Sequence, residues 1–254
     1  MKTIPIVAGN WKMHKTIEEG ISFVGEIQNR ILDTVEAKVI FCPPFTALFP
    51  IVDAMGQHPF GVGAQNVHHE SHGAFTGEIS IDMLKSAGVD YVIIGHSERR
   101  HVFGETDRWI NKKIHAVIES GLIPLFCIGE TLEDRQSGQT SAVLKAQIEL
   151  GLSGLSEIIP DQFIVAYEPV WAIGTGETAS VEQIETAHKD VKGILASLFE
   201  ANGAHIPILY GGSVNADNAK SLIQAEGVDG FLIGGASLKI ESFCHIVETV
   251  AAHY

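Results

Sequence analysis

The chain alternates eight times between a short apolar run and a segment with helical spacing or a helix-start signal. Parallel strands need helical crossovers, and a sheet covered by helices is apolar on both faces, so this alternation predicts an α/β protein with a parallel sheet. The predicted strands lie near Ile4–Ala8, Lys38–Cys42, Phe60–Ala64, Tyr91–Ile94, Ile123–Ile128, Ile164–Tyr167, Ile208–Tyr210 and Gly230–Ile233.

Eight strand-helix units in 254 residues, with no linker or composition break, predict a single closed (β/α)₈ barrel over residues 1–254. An open doubly wound sheet is the main alternative. It is disfavoured because no G-x-G-x-x-G fingerprint follows the first strand.

The net charge of the chain limits the classes of partner that it is expected to bind. The net charge of −14 argues against a nucleic-acid or anionic-membrane surface. We find neither a signal-peptide core nor an apolar run that could span a bilayer, and therefore expect a soluble, cytoplasmic protein. The three cysteines, Cys42, Cys127 and Cys244, form no CxxC pair and are expected to be reduced thiols.

The segment from Ala166 to Gly176 has the pattern of a catalytic base beneath a lid. Glu168 follows an apolar strand, Pro169 stiffens the backbone after it, and Gly174-Thr175-Gly176 gives freedom at the other end. Ser180 and Gln183 then form a predicted capping box that starts a helix. An ordinary strand-to-helix loop would fit this segment equally well if it stood alone.

Polar groups at other predicted strand ends favour a functional interpretation. In a (β/α)₈ barrel the carboxyl ends of the strands meet at the active site, and glycine-rich turns after strands seven and eight form the usual phosphate site. The residues at these ends are Asn10, Lys12, His96, Ser97, Glu98, Glu168, Gly211, Gly212, Ser213, Gly234 and Gly235. Bare N–H groups would bind phosphate without adding formal charge, although glycines in plain tight turns remain an alternative.

Two of these residues have specific chemical uses. Lys12 would supply a fixed positive charge beside Asn10, or it would be only a surface lysine with a buried stem. His96 follows Gly95 directly, and a helix N-terminus next to it would disfavour its protonation. A neutral imidazole can still donate a hydrogen bond to a carbonyl oxygen.

A histidine cluster, His68 to His72, lies in a long loop over residues 66–78. Its spacing matches no common metal motif, so we predict a solvated loop, with a metal site as the less favoured alternative. Loops of this length are usually functional. The apolar Val67, Ala74 and Phe75 suggest burial against another surface, such as a second subunit.

Five motifs, in order along the whole chain, resemble the triosephosphate isomerase family. They are Asn10–Met13, Gly95–Arg100, Ala166–Gly176, Tyr210–Val214 and Gly234–Leu238. The resemblance implies a TIM barrel and an isomerase of glycolysis and gluconeogenesis. It would interconvert dihydroxyacetone phosphate and D-glyceraldehyde 3-phosphate through an enediolate, without a metal or organic cofactor.

The resemblance also implies residue roles. Glu168 would be the base, neutral His96 the proton shuttle, and Lys12 and Asn10 the groups that stabilise the enediolate. Backbone groups of Gly174, Ser213, Gly234 and Gly235 would bind the phosphate, while Ser97, Glu98 and Tyr210 would support these residues from behind. The loop at 66–78 would form a homodimer.

Two other functions fit parts of the pattern. One is a different phosphate-binding barrel enzyme, such as an aldolase. A Schiff-base aldolase would need a lysine inside the barrel at a late strand end, and none stands at strands six to eight. The other is an inactive barrel that senses a phosphorylated compound, which would have no reason to keep Lys12, His96 and Glu168 together with a lid.

Overall fold

The computed structural model describes residues 4–32, 35–173 and 177–254, and within them eight parallel strands form one closed barrel. The strands are Ile6–Asn10 (β1), Lys38–Cys42 (β2), Gly61–Ala64 (β3), Tyr91–Ile94 (β4), Ile123–Ile128 (β5), Ile164–Tyr167 (β6), Ile208–Tyr210 (β7) and Gly230–Ile233 (β8). β1 pairs with both β2 and β8, so the sheet has no edge strand. The predicted closed barrel is confirmed and the open doubly wound alternative is wrong.

Helices surround the barrel and follow the strands. They are Ile17–Arg30 (α1), Leu48–Met55 (α2), Ile81–Ser86 (α3), Ser97–His101 (α4), Asp107–Glu119 (α5), Leu132–Gln136 (α6), Thr140–Gly151 (α7), Val181–His205 (α8), Ala219–Ile223 (α9) and Ile240–His253 (α10). The predicted capping box at α8 is present, because Ser180 and Gln183 exchange hydrogen bonds. None of the helices described here is both long enough and apolar enough to cross a bilayer.

Successive strand residues face two different apolar layers, as the pleat of a β-strand requires. Along β5, Leu125 and Cys127 belong to the cluster inside the barrel, whereas Phe126 and Ile128 join the larger cluster between strands and helices. Burying each such side chain contributes about 1.5–3 kcal/mol to stability. These two layers hold the strand ends, and hence the polar residues that follow them, in fixed positions.

Some elements differ from the prediction. β1 begins at Ile6 rather than Ile4, because Pro5 has no N–H to donate to a ladder and Ile4 is 61% exposed. β1 also ends at Asn10 rather than Ala8, and β3 begins at Gly61 rather than Phe60. α8 extends to His205, although Phe199 and Glu200 leave helical geometry. The five-residue helices α4 and α6 are not predicted, since such short helices carry little apolar periodicity.

Candidate active site

A cleft of about 760 Å³ opens at the carboxyl ends of the strands. Its lining includes nine of the eleven residues predicted at strand ends, which are Asn10, Lys12, His96, Glu168, Gly211, Gly212, Ser213, Gly234 and Gly235. They come from β1, β4, β6, β7 and β8, as expected for a barrel whose active site is built from several strand ends. Gly174 lies outside the described residues.

Glu168 is buried at the floor of this cleft, with only 2% of its surface exposed. Its Oε1 lies 3.1 Å from His96 Nε2, and its Oε2 accepts a 2.9 Å hydrogen bond from the Ser97 N–H. Burial by itself raises the pKa of Glu168, but His96, the Ser97 N–H and Lys12 together hold that pKa below its usual value. Glu168 is therefore a carboxylate at neutral pH.

His96 caps the first turn of α4. Its Nδ1 accepts a 3.2 Å hydrogen bond from the Glu98 N–H, so a neutral imidazole here carries its proton on Nε2. Burial is the largest single influence and lowers the pKa of His96, but the Glu168 carboxylate, with a smaller contribution from Glu98, outweighs it and holds that pKa above its usual value. In the neutral form the Nε2–H donates to Glu168, and the same N–H faces the cleft residues.

Lys12 is held in an unusual backbone conformation, with φ of 52°. Such a conformation costs about 1–3 kcal/mol for a residue other than glycine. Asn10 Oδ1 accepts from the Lys12 N–H at 3.0 Å, and Gln65 Nε2 donates to the Lys12 carbonyl at 2.8 Å, which together fix the strained turn. The Lys12 Nζ lies 2.6 Å from Glu98 Oε1. Lys12 is thus anchored in the cleft and is not a loose surface lysine.

The two glycine-rich turns after β7 and β8 lie on the same side of the cleft. Ser213 Oγ donates a 2.8 Å hydrogen bond to the Ala172 carbonyl, which links the turn after β7 to the segment after β6. A Cβ atom on Gly211 would approach Glu168 Cγ to 2.8 Å, so this glycine permits a close approach beyond a simple turn. Glycine-rich turns that line a cleft beside Lys12 and a buried imidazole are an arrangement that is chemically suited to a small anion.

Three predicted supporting residues do not line the cleft. Ser97 contacts Glu168, and Glu98 contacts Lys12 and His96, as described above. Tyr210, at the end of β7, is buried behind Gly212, and burial raises the pKa of its hydroxyl to about 12. The Tyr210 side chain is therefore neutral.

Glu130 is a buried residue that the sequence analysis missed. Its Oε1 accepts hydrogen bonds from Arg135 Nη1 at 2.8 Å, Trp171 Nε1 at 3.0 Å and the Tyr167 hydroxyl at 3.1 Å. These donors come from α6, from the segment that leads to residues 174–176, and from β6. The sequence signal that could have identified Glu130 is its position, two residues beyond the carboxyl end of β5.

The loop over residues 66–78 packs against α5. His68 stacks on His69 at 4.6 Å and on Phe75 at 4.2 Å, and both histidines meet the edge of Trp109. Within the three described ranges, no group of His, Cys, Asp or Glu has the arrangement of a metal site. The predicted solvated loop is wrong for His68, which is 3% exposed because it packs among these rings, whereas His72 is exposed as predicted. The structure gives the metal alternative no support.

Comparison with known proteins identifies relatives along nearly the whole chain. A family model described as triosephosphate isomerase matches residues 5–250. The triosephosphate isomerase of Carboxydothermus hydrogenoformans is 49% identical over 245 residues, covering 96% of this chain and 98% of the relative. That of Syntrophotalea carbinolica is 46% identical over 245 residues, covering 96% and 97%. A crystal structure of the enzyme from Bartonella henselae superposes with a TM-score of 0.88 at 39% identity, covering 97% of this chain and 98% of that one.

Proposed function

This chain belongs to the triosephosphate isomerase family, and on that premise we propose that its cleft carries out the reaction with Glu168, His96, Lys12 and Asn10. The reaction interconverts dihydroxyacetone phosphate and D-glyceraldehyde 3-phosphate. The observation that carries the assignment of residues is the buried Glu168–His96 pair, 3.1 Å apart, in a cleft edged by glycine N–H groups.

Glu168 is the base that removes a proton from the carbon next to the substrate carbonyl and returns it to the neighbouring carbon. His96 donates its Nε2–H to the carbonyl oxygen and transfers the hydroxyl proton between the two oxygens of the enediolate. Lys12 and the amide of Asn10 stabilise the negative charge that develops on these oxygens, and the hydrogen bond from the Lys12 N–H to Asn10 Oδ1 supports this proposal because it orients the two residues before the substrate binds. Each step moves only protons, so we propose that no redox cofactor takes part.

The phosphate group is bound by backbone N–H groups of Ser213, Gly234 and Gly235, and a Cβ on Gly234 would lie 3.9 Å from Lys12 Nζ, so the ammonium group of Lys12 is close to this turn. The predicted contribution of Gly174 belongs to the same set. Exclusion of water by the segment after Glu168 raises the basicity of the carboxylate and protects the enediolate from losing its phosphate. Ser97, Glu98 and Tyr210 act by positioning these groups.

Turnover of D-glyceraldehyde 3-phosphate in EDTA tests this proposal. The parent should isomerise the substrate rapidly, and Glu168→Ala should lower kcat by about 10²–10⁴-fold, the usual share of a general base. Glu168→Asp keeps the charge but shortens the reach, and Glu149→Gln on the exposed face of α7 is a matched control with full activity. A parent that binds inorganic phosphate yet turns over neither triose phosphate would overturn the isomerase assignment.

We also propose a homodimer that forms through the 66–78 loop. Large apolar side chains are exposed on the segments that follow β1 to β4, which share one side of the barrel mouth, and they are Met13, Phe49, Phe75 and Val102. Met13 is 93% exposed, and burying it against a second subunit would stabilise the assembly. Sedimentation velocity should find a dimer, and Met13→Glu should yield monomers. A parent that is monomeric and fully active would contradict this.

Two further proposals concern the domain organisation and the cellular location of the chain. We propose that the barrel is one catalytic domain over residues 1–254. We propose a cytoplasmic location, which is supported by three cysteines, Cys42, Cys127 and Cys244, that are buried free thiols.

A further inference from the structure

One charged residue that lines the cleft, Lys239, has no role in the function proposed above. The charged residues that line the cleft are Lys12, Glu168, Asp217 and Lys239. Lys12 is already paired with Glu98 at 2.6 Å, and Asp217 lies at the glycine end where the phosphate is proposed to bind. Without Lys239, the lining would present two carboxylates and one ammonium group, itself paired with Glu98, to a substrate that carries about two negative charges.

Lys239 is exposed, and it takes part in none of the ion pairs found among the residues that the structure describes. It follows the turn of Gly235–Leu238 after β8, so it belongs to the segment that carries Gly234 and Gly235. Lys239, Gly234 and Gly235 all line the cleft, so Lys239 borders it on the segment that carries the two glycines.

Lys239 also occupies a helix position at which a lysine is normally unfavourable. Lys239 is the N-cap residue of α10, a helix of 14 residues, and its side chain makes no capping hydrogen bond. Helix N-termini favour acids or small polar caps and disfavour a positive charge. A residue that breaks a local rule at the border of a site suggests a functional reason for the exception.

We propose that Lys239 captures and orients the phosphate dianion at the mouth of the cleft by offsetting the negative field of Asp217. The proposal rests on the function proposed above and adds to it a positioning residue for the phosphate end. Because the chain carries a net charge of −14, a local positive field is needed to attract an anionic substrate against long-range repulsion. Lys239 has no part in the proton transfers.

Steady-state kinetics of Lys239→Gln test the proposal at about 0.02 M and about 0.2 M ionic strength, where screening differs severalfold. At the lower ionic strength kcat/KM should fall about 5- to 10-fold while kcat stays within about twofold, and the difference should shrink as salt screens the charge. Asp217→Asn should change kcat/KM in the opposite direction. Lys239→Arg should retain the parent value, since it keeps the charge.

Lys189→Gln is the matched control, because Lys189 is exposed on α8, does not line the cleft and gives the same change in net charge. Its kcat/KM should equal that of the parent. A second readout uses unphosphorylated D-glyceraldehyde, whose turnover Lys239→Gln should leave unchanged.

Binding of inorganic phosphate, measured by calorimetry, separates this proposal from the isomerase assignment. Phosphate should bind about 5- to 10-fold more weakly to Lys239→Gln even if the parent were to turn over no triose phosphate. Unchanged phosphate binding and unchanged kcat/KM at low salt would overturn the role of Lys239. So would a loss of kcat that does not depend on salt, because that pattern indicates a structural effect.

Discussion

Replacing Gly211 by alanine should displace the carboxylate of Glu168 while leaving the barrel intact. The added Cβ would lie 2.8 Å from Glu168 Cγ and 3.3 Å from the Tyr167 carbonyl oxygen. Carbon atoms in contact normally lie about 3.5–4.0 Å apart, so the Glu168 side chain must move by about 0.7–1.2 Å. The Gly211 backbone itself cannot retreat freely, because its N–H donates to the Tyr167 carbonyl at 2.8 Å.

The displaced carboxylate of Glu168 would lose its contacts with His96 and the Ser97 N–H. His96 and the Ser97 N–H hold Glu168 at 3.1 and 2.9 Å, and both belong to another strand end. A misplacement of about 1 Å at a reacting group can cost about 10²-fold in rate. We therefore expect kcat of Gly211→Ala to fall by about 10²-fold, with a smaller change in KM because the phosphate contacts remain.

The assay is kcat for D-glyceraldehyde 3-phosphate, combined with circular dichroism and thermal unfolding to verify the fold. Gly25→Ala in α1 is the matched control, since a Cβ there would meet no atom within 4 Å. That variant should keep the parent kcat. If Gly211→Ala is folded and its kcat lies within threefold of the parent, the position of Glu168 tolerates more movement than the contacts indicate, and the reasoning fails.

Two predictions concern buried groups outside the cleft. Glu105→Gln removes the carboxylate that pairs with Lys113, a lysine that is only 1% exposed. Because the Lys113 charge would then be buried without this partner, the free energy of unfolding should fall by about 3–5 kcal/mol in denaturant titrations at fixed protein concentration. A loss below about 1 kcal/mol would contradict the prediction. Burial lowers the pKa of His188 to about 4. Because an unfolded histidine titrates near 6.5, the native state binds fewer protons, and about 3 kcal/mol of stability present above pH 6.5 should be lost as the pH falls to 4. His188→Asn cannot titrate and should show a correspondingly flatter pH dependence of unfolding, whereas equal slopes would refute the assignment.

The sequence predicted the barrel because its strands are marked locally. Each strand is a short apolar run with turn signals on both sides, and the bounds of β6 agree with the prediction at both ends. The predicted start of β1 was wrong because an apolar residue before a proline resembles strand sequence, although it cannot continue the ladder. Short helices such as α4 were missed since a capping side chain, His96, starts this helix rather than an apolar stripe.

Site residues were predictable where a strand end and a glycine-rich turn adjoin a polar side chain, as at Glu168 and Ser213. Glu130 could not be recognised in this way. Two of its three hydrogen-bond donors, Tyr167 and Trp171, are 37 and 41 residues away in sequence, and only the fold brings them to one oxygen. The hydrogen bond from Gln65 Nε2 to the Lys12 carbonyl likewise joins residues that are far apart in sequence.

In the role of base that we propose for Glu168, its resting contacts limit its strength. His96 and the Ser97 N–H stabilise the charged carboxylate and lower its pKa, which opposes removal of a proton from carbon. A substrate carbonyl that takes the Nε2–H of His96 removes one of these stabilising contacts, and the water that it displaces leaves the carboxylate less solvated. Both changes raise the pKa of Glu168. In the proposed reaction, substrate binding thus makes Glu168 a stronger base only when a carbonyl occupies the cleft and the carbon beside it carries the proton to be removed.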